Sequence, residues 1–301
     1  MSLELIIVFF VLGIVVGSFL NVVICRYQPN FFLLSKEIIG GRSHCLSCGS
    51  KLSWFELIPL ISFLIQGGKC RHCHSRLLWQ YPLVELISGL IFVGVPYYFF
   101  SFVSPAKSIT ELDFALIIGW ILIFLIWLLI FFIDLRWLVI PNELNLAIFL
   151  IGIFITLILN FGNFSDNSIS PFFGSFISPY DLIFPFFTEK VIIKHLYGAF
   201  FGGVVFGLIF LLGRGRALGL GDVKLALVSG LVFGWPDIFL AVILSFLLGG
   251  LIAFILLIFR KKRFGDKIPF GPVFVIALII TVFFGEKIIA TYFKIFSLPF
   301  N

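Results

Sequence analysis

Apolar positions fall in long blocks. Eight runs, roughly 3–25, 83–100, 114–133, 143–161, 191–212, 223–236, 238–259 and 271–293, carry few charges. A helix that crosses a bilayer needs about 20 consecutive, mostly apolar residues, and it satisfies all of its backbone polar groups internally. Each run therefore predicts a transmembrane helix. The sixth is short, opening at Lys224 and closing at Trp235-Pro236. No small-residue cleavage site of the A-x-A type follows the first run, which reads as a retained helix rather than a signal peptide. The longest polar-flanked interval is 26–82. The pattern predicts an all-α polytopic membrane protein with about eight transmembrane helices and a small module between helices 1 and 2. The corresponding divisions are 1–25 for the first helix, 26–82 for the module and 83–301 for the remaining membrane part.

Composition agrees: 61% of the 301 residues are hydrophobic and 12% charged, with a mean hydropathy of +1.18. Soluble domains are about half apolar and about a quarter charged. Charge adds an orientation. With 26–82 in the cytoplasm, 134–142, 213–224 and 260–270 also lie inside, and these segments hold 16 of the 21 Lys and Arg residues. Only Lys107, Lys190, Lys194, Lys287 and Lys294 remain outside. Such asymmetry is the positive-inside signature, and it requires the short sixth helix, without which Arg260-Lys261-Lys262-Arg263 would lie outside. The net charge of +6 is thus a topology signal. No soluble basic domain exists to bind nucleic acid.

The interval 26–82 contains two knuckles, Cys45-Leu-Ser-Cys48 and Cys70-Arg-His-Cys73, separated by 21 residues. Two residues between paired cysteines let both thiolates reach one tetrahedral ion, and a second pair completes the shell. A segment this small and this poor in apolar residues needs a staple. In a reducing cytoplasm the staple is a metal rather than disulfides, so one structural zinc is expected on Cys45, Cys48, Cys70 and Cys73. Four thiols, or two disulfides in the inverted orientation, are the alternatives. His44, His72 and His74 flank the knuckles and read as bystanders. Cys25, at the end of the first run, reads as a small buried hydrophobe.

Carboxylates inside apolar runs are expensive, about 2.5–3.5 kcal/mol for an Asp at a helix centre. Two stand out. Asp134 ends the third run and Asp222 opens the sixth, in Gly219-Leu220-Gly221-Asp222-Val223-Lys224. The predicted topology puts both at the cytoplasmic boundary. Facing carboxylates that share a proton suit aspartyl proteolysis, one activating water while the other protonates the scissile carbonyl. Gly219 and Gly221 would let a substrate backbone approach. The plainer reading is boundary solvation, with Asp134 pairing to Arg136 and Asp222 capping a helix. Glu143, after Pro141-Asn142, reads as an exposed first-turn residue.

Taken in order, these residues resemble the type IV prepilin peptidases. The resemblance runs through Gly17-Ser18-Phe19-Leu20-Asn21, both cysteine knuckles, Trp54-Phe55-Glu56-Leu57-Ile58-Pro59-Leu60 and Tyr81-Pro82-Leu83-Val84-Glu85. It continues through Ile133-Asp134, Ile140-Pro141-Asn142, Gly219–Leu225 and Pro269-Phe270-Gly271-Pro272. It implies an intramembrane aspartic endopeptidase of the bacterial cytoplasmic (inner) membrane, with the active site and a zinc module, 26–82, that is linked to methylation and folding on the cytoplasmic side. The expected catalytic pair is Asp134 and Asp222. The expected reactions are cleavage of the basic leader of prepilins or pseudopilins, then methylation of the new N-terminus with S-adenosylmethionine. Asn142 departs from the pattern, where many relatives carry Asp, and 162–190 is longer than usual. No glycine-rich methyltransferase fingerprint is visible, so the methylation expectation rests on the resemblance alone and its cofactor residues are unassigned. Glu37, Glu56 and Glu85 read either as attractors of a basic leader or, more plainly, as solvated surface acids. The competing functions are a peptidase without methyltransferase activity, and a zinc-stabilised membrane transporter or scaffold. The transporter reading expects acids near the midplane and inverted repeats, and neither is evident.

Overall fold

The computed structural model describes residues 1–29, 31–103, 110–161, 190–263 and 266–295. The long interval at 162–190 therefore falls, up to residue 189, outside the described residues.

The first apolar run is α1 (Leu3–Arg26); the interval after it holds two short helices, α2 (Lys36–Ile39) and α3 (Ile61–Ile65), and a 3-10 turn at Trp54–Leu57. Then come α4 (Gln80–Tyr98), α5 (Glu111–Trp137), α6 (Asn142–Phe161), α7 (Val191–Leu212), α8 (Leu220–Phe233), α9 (Asp237–Ile258) and α10 (Phe270–Ile295). Each of the eight predicted runs is thus a helix, and no strand occurs among the described residues. Among the described residues, six of them, α1, α4, α5, α6, α7 and α9, are long and apolar enough to cross a membrane. The helix α8 has 14 residues, about 21 Å at 1.5 Å per residue, against a hydrocarbon core of about 30 Å. In α10 the continuous apolar stretch is Phe270–Gly285.

Local chemistry sets the ends that matter. The start of α5 is a capping box: the Thr110 N–H donates to Asp113 Oδ2 at 2.8 Å, and the Asp113 N–H donates to Thr110 Oγ1 at 3.3 Å. Its end is Leu138, left-handed at φ 54°, whose N–H donates to the Asp134 carbonyl at 2.9 Å. That turn ends the helix one turn beyond Asp134 and sends the chain into Ile140-Pro141 and α6.

The chain divides into two compact units, Met1–Ser101 with Trp120–Leu129, and Phe102–Gly119 with Ile130–Asn301. In the first, α1 packs along α4 through small residues. A Cβ on Gly13 would lie 2.7 Å from the Gly89 Cα, and one on Gly17 2.8 Å from the Glu85 Cα. Without a hydrophobic drive between helices in lipid, such backbone-to-backbone approach supplies the association through van der Waals packing. The second unit repeats the device. There α7 packs along α8, and Gly198 meets the backbone of Gly230 while Gly202 meets that of Ala226. Buried His195 on α7 adds a polar tie, its Nδ1 donating to the Leu231 carbonyl at 2.6 Å.

Replacing Gly17 by Val should lower the thermal stability of the purified protein by about 1–3 kcal/mol, because backbone and not a flexible side chain meets the added carbons. Gly94→Ala is the contrast: nothing lies within 4 Å of the added methyl, so the exchange should be neutral or stabilising by up to about 1 kcal/mol. Thermal unfolding in one detergent checks both.

Candidate functional site

The second unit brings Asp134 and Asp222 together. Asp134 lies in the last turn of α5 and is 5% exposed. Its Oδ2 accepts the Gly271 backbone N–H at 3.0 Å. Gly271 is the second residue of α10, and the first N–H groups of a helix have no partner within the helix. That orphan donor serves the carboxylate, and Pro272, which follows, has no N–H to compete. A Cβ on Gly271 would stand 2.7 Å from Asp134 Oδ2, so the contact requires glycine.

Asp222 is the third residue of α8 and is half-buried. Its Oδ2 reaches back to accept the Gly219 N–H at 3.0 Å, closing the helix start. The two carboxylates are near enough to interact electrostatically. The corner between α5 and α6 holds this arrangement from the other side. Ile140 packs on Gly221, where an added Cβ would come within 3.1 Å of the Ile140 Cβ. Lys224 Nζ donates to Asn142 Oδ1 at 2.8 Å. The Asn142 departure thus still provides an oxygen for this lysine. Glu143 is half-buried in the first turn of α6 rather than exposed, and Arg136 lies over the Trp137 ring at 5.5 Å.

The first unit brings the cysteines together. The ligand atoms of Cys45, Cys48, Cys70 and Cys73 all lie within 4.8 Å of one another, and Cys45 Sγ is 3.9 Å from Cys73 Sγ. A tetrahedral ion with sulfur at about 2.3 Å sets neighbouring sulfurs about 3.8 Å apart, so the donor set fits one metal ion. The two knuckles are built alike. In the first, the Cys45 N–H donates to the Ser50 carbonyl at 2.9 Å, beside the bridge His44–Lys51. In the second, the Cys70 N–H donates to the Ser75 carbonyl at 2.9 Å, beside the bridge Lys69–Arg76. Gly49 at φ 72° and His74 at φ 54° occupy the same left-handed turn position. The backbone N–H groups of Cys48 and Ser47 lower the Cys45 thiol to about 6. That favours the thiolate, the form that binds metal. The three flanking histidines are outside the four-cysteine group. Cys25 is half-buried, its Sγ 3.5 Å from the Tyr81 hydroxyl.

Pro269-Phe270-Gly271-Pro272 carries no role that the sequence alone assigns. Its signal was a glycine at the opening of an apolar run, followed by a proline. The solvated reading of Glu56 and Glu85 does not hold: both are 7% exposed, whereas Glu37 remains exposed.

Residues 11–99 match the bacterial peptidase A24 N-terminal domain, and residues 121–254 match the type IV leader peptidase family. The chain is 30% identical over 305 residues to a prepilin leader peptidase/N-methyltransferase of Pseudomonas aeruginosa, covering 94% of this chain and 91% of the relative. The chain belongs to the type IV leader peptidase family. Another family member, from Stutzerimonas stutzeri and of the same name, is 32% identical over 307 residues, covering 94% and 92%. One from Bacillus subtilis is 27% identical over 287 residues, covering 95% and 97%. No solved structure matches the chain. Both aspartates fall inside the leader-peptidase match and all four cysteines inside the N-terminal match. Gly271 lies beyond both.

Metal analysis of this family member should give about one ion per chain. Cys70→Ser should reduce that stoichiometry several-fold and lower thermal stability, because removing one of four thiolates from a structural site costs much of its folding energy.

Proposed function

We propose that this family member removes the basic leader of type IV prepilins or pseudopilins using Asp134 and Asp222, and then N-methylates the residue so exposed. The observation that carries the reading is the convergence of two carboxylates from distant segments, each with one oxygen held by a helix-start N–H.

In this mechanism one carboxylate takes a proton from water while the other, carrying the shared proton, gives it to the scissile carbonyl oxygen. Hydroxide adds to the carbonyl carbon, the tetrahedral intermediate collapses, and the leaving amine takes up a proton. The titrations belong to the pair and not to either residue. The Gly271 N–H orients Asp134, and the capping bond to Gly219 orients Asp222. Gly219 leaves the approach to Asp222 without side-chain bulk, whereas the missing side chain of Gly221 makes room for Ile140. A substrate with a charged leader and an apolar helix suits a site at the end of a membrane helix, since the helix stays beside lipid while the leader stays in water.

The excess of Lys and Arg in 26–82, 134–142, 213–224 and 260–270 supports a cytoplasmic placement of this site, in the inner membrane where the family resemblance puts it. In this reading 1–25 is the first membrane helix, 26–82 the cytoplasmic module and 83–301 the protease part. Cys45, Cys48, Cys70 and Cys73 hold a structural zinc that pins the two knuckles to each other. S-adenosylmethionine supplies the methyl group for the second reaction.

Asp134→Ala and Asp222→Ala should each reduce leader cleavage about a thousandfold or more while the protein remains folded and inserted. Persistent cleavage in either would sink the assignment. Gly271→Ala should cost about ten- to a hundredfold, mainly in kcat, since a displacement of about 1 Å at a catalytic group is enough. An increase in KM alone would contradict that role. Mass spectrometry of the processed product tests the second activity: one added methyl on the new N-terminus is expected, and an unmodified terminus with S-adenosylmethionine present would remove it.

A further inference from the structure

One segment of the module in the first unit, 57–65, carries Ser62 as its one polar side chain. Its helix α3 turns Phe63 inward, where the ring is buried and packs on Trp79 at 5.2 Å between centroids. Ile61, Leu64 and Ile65 have the i, i+3, i+4 spacing of a single helix face. All three are exposed, Leu64 by 76%. Trp54, in the turn before the segment, and Trp79, against Phe63, are each 78% exposed. In water an apolar patch of this kind is a liability, and it marks an interaction surface.

The depth of that surface follows from α4. The spanning stretch that begins there, Gln80–Ser101, has 22 residues, about 33 Å at 1.5 Å per residue. A hydrocarbon core is about 30 Å thick, so Gln80 lies at the membrane boundary. The Leu60 N–H, at the head of α3, donates to Glu85 Oε2 at 2.7 Å. Glu85 is in the second turn of α4, about 7.5 Å along the axis from Gln80. Leu60 is held at φ 61° beside this bond, a conformation that leucine rarely adopts. Helix α3 therefore lies alongside the start of α4 rather than above it. The outward row of α4, Leu83, Leu86 and Leu90, is exposed and apolar from the first turn onward, and the α3 face continues that row at the same level.

We propose that α3 is a lipid-inserted wedge: Ile61, Leu64 and Ile65 enter the boundary between headgroups and acyl chains in the leaflet where α4 begins, and Trp54 and Trp79 sit in the interfacial layer. Tryptophan is enriched at that layer, and apolar helix faces bury there by about 5–10 Å. Lys69, Arg71 and Arg76, exposed in the chain just beyond α3, suit lipid phosphates and would repel a basic leader as the occupant of this face. The four-cysteine module thus rests on the bilayer instead of projecting from it, and the wedge sets its height.

The test uses the full-length, zinc-loaded protein in vesicles of phosphatidylethanolamine and phosphatidylglycerol. A phosphatidylcholine with a diazirine near the carbonyl end of one acyl chain is photolysed in these vesicles, and tryptic peptides are mapped. Cleavage at Lys51 and Lys69 isolates α3 on the peptide 52–69, apart from α4 on 77–107. Label on 52–69, localised to 57–65, is expected beside label on 77–107. A double exchange of exposed residues, Leu64→Ser with Ile65→Ser, should lower the label on 52–69 at least about fivefold, since insertion scales with buried apolar area, and leave 77–107 unchanged. Label on 77–107 with none on 52–69 overturns the wedge, whether water, a second copy or a prepilin then covers the face. A double variant labelled like the wild type overturns it as well. Should that variant lose its zinc, the wild-type map alone decides.

Discussion

The hydrogen bond from the Gly271 N–H to Asp134 Oδ2 joins residues 137 positions apart, and the geometry of the aspartate site depends on it. A carboxylate at the end of a membrane helix needs donors that lipid cannot supply. Here the donor is an orphan amide at the start of α10, one that the helix could not have used itself. The bond fixes the end of α5 against α10. The corner that follows, Ile140 to Asn142, then meets the start of α8 through Gly221 and Lys224. Asp222 is held at that start by its own capping bond. Two helix N-termini therefore orient the two acids, and glycine is required wherever one backbone must come that close.

Small residues at helix contacts and four cysteines in the module answer one problem at different places. In lipid, helices gain little from apolar contact alone, and α1 with α4, and α7 with α8, gain it from close backbone approach. The interval after α1 is short for a core of its own. Two knuckles of the same build present four sulfurs at the spacing of a single tetrahedral ion. The Cys48 and Ser47 N–H groups hold the Cys45 thiol below its ordinary value, at about 6, which favours the thiolate form.

Much of this was legible in the sequence because the bilayer and the metal impose strict spacing. Runs near 20 residues marked every long helix, and two C-x-x-C pairs marked the four sulfurs that the fold brings together. Asp134 and Asp222 were legible as costly acids at the ends of apolar runs. Their partners were not. Nothing local ties Asp134 to Gly271, because the pairing is made by the helix packing and not by any periodicity. The burial of Glu56 and Glu85 was hidden in the same way. Each sits among apolar neighbours, in Trp54-Phe55-Glu56-Leu57 and Leu83-Val84-Glu85-Leu86, and nothing local in either stretch shows that the carboxylate itself is buried. The brevity of α8 was visible in Lys224 and Trp235-Pro236, but its role as a short helix presenting Asp222 was not.

In the proposed mechanism Asp134 and Asp222 act as one unit. The most direct measurement compares leader cleavage by the reconstituted enzyme bearing Asp134→Asn, Asp222→Asn or both. Residues that act together are strongly non-additive. The double variant is predicted to be no slower than the slower single variant. Losses that multiply, or a single variant that keeps near-normal activity, would contradict the claim.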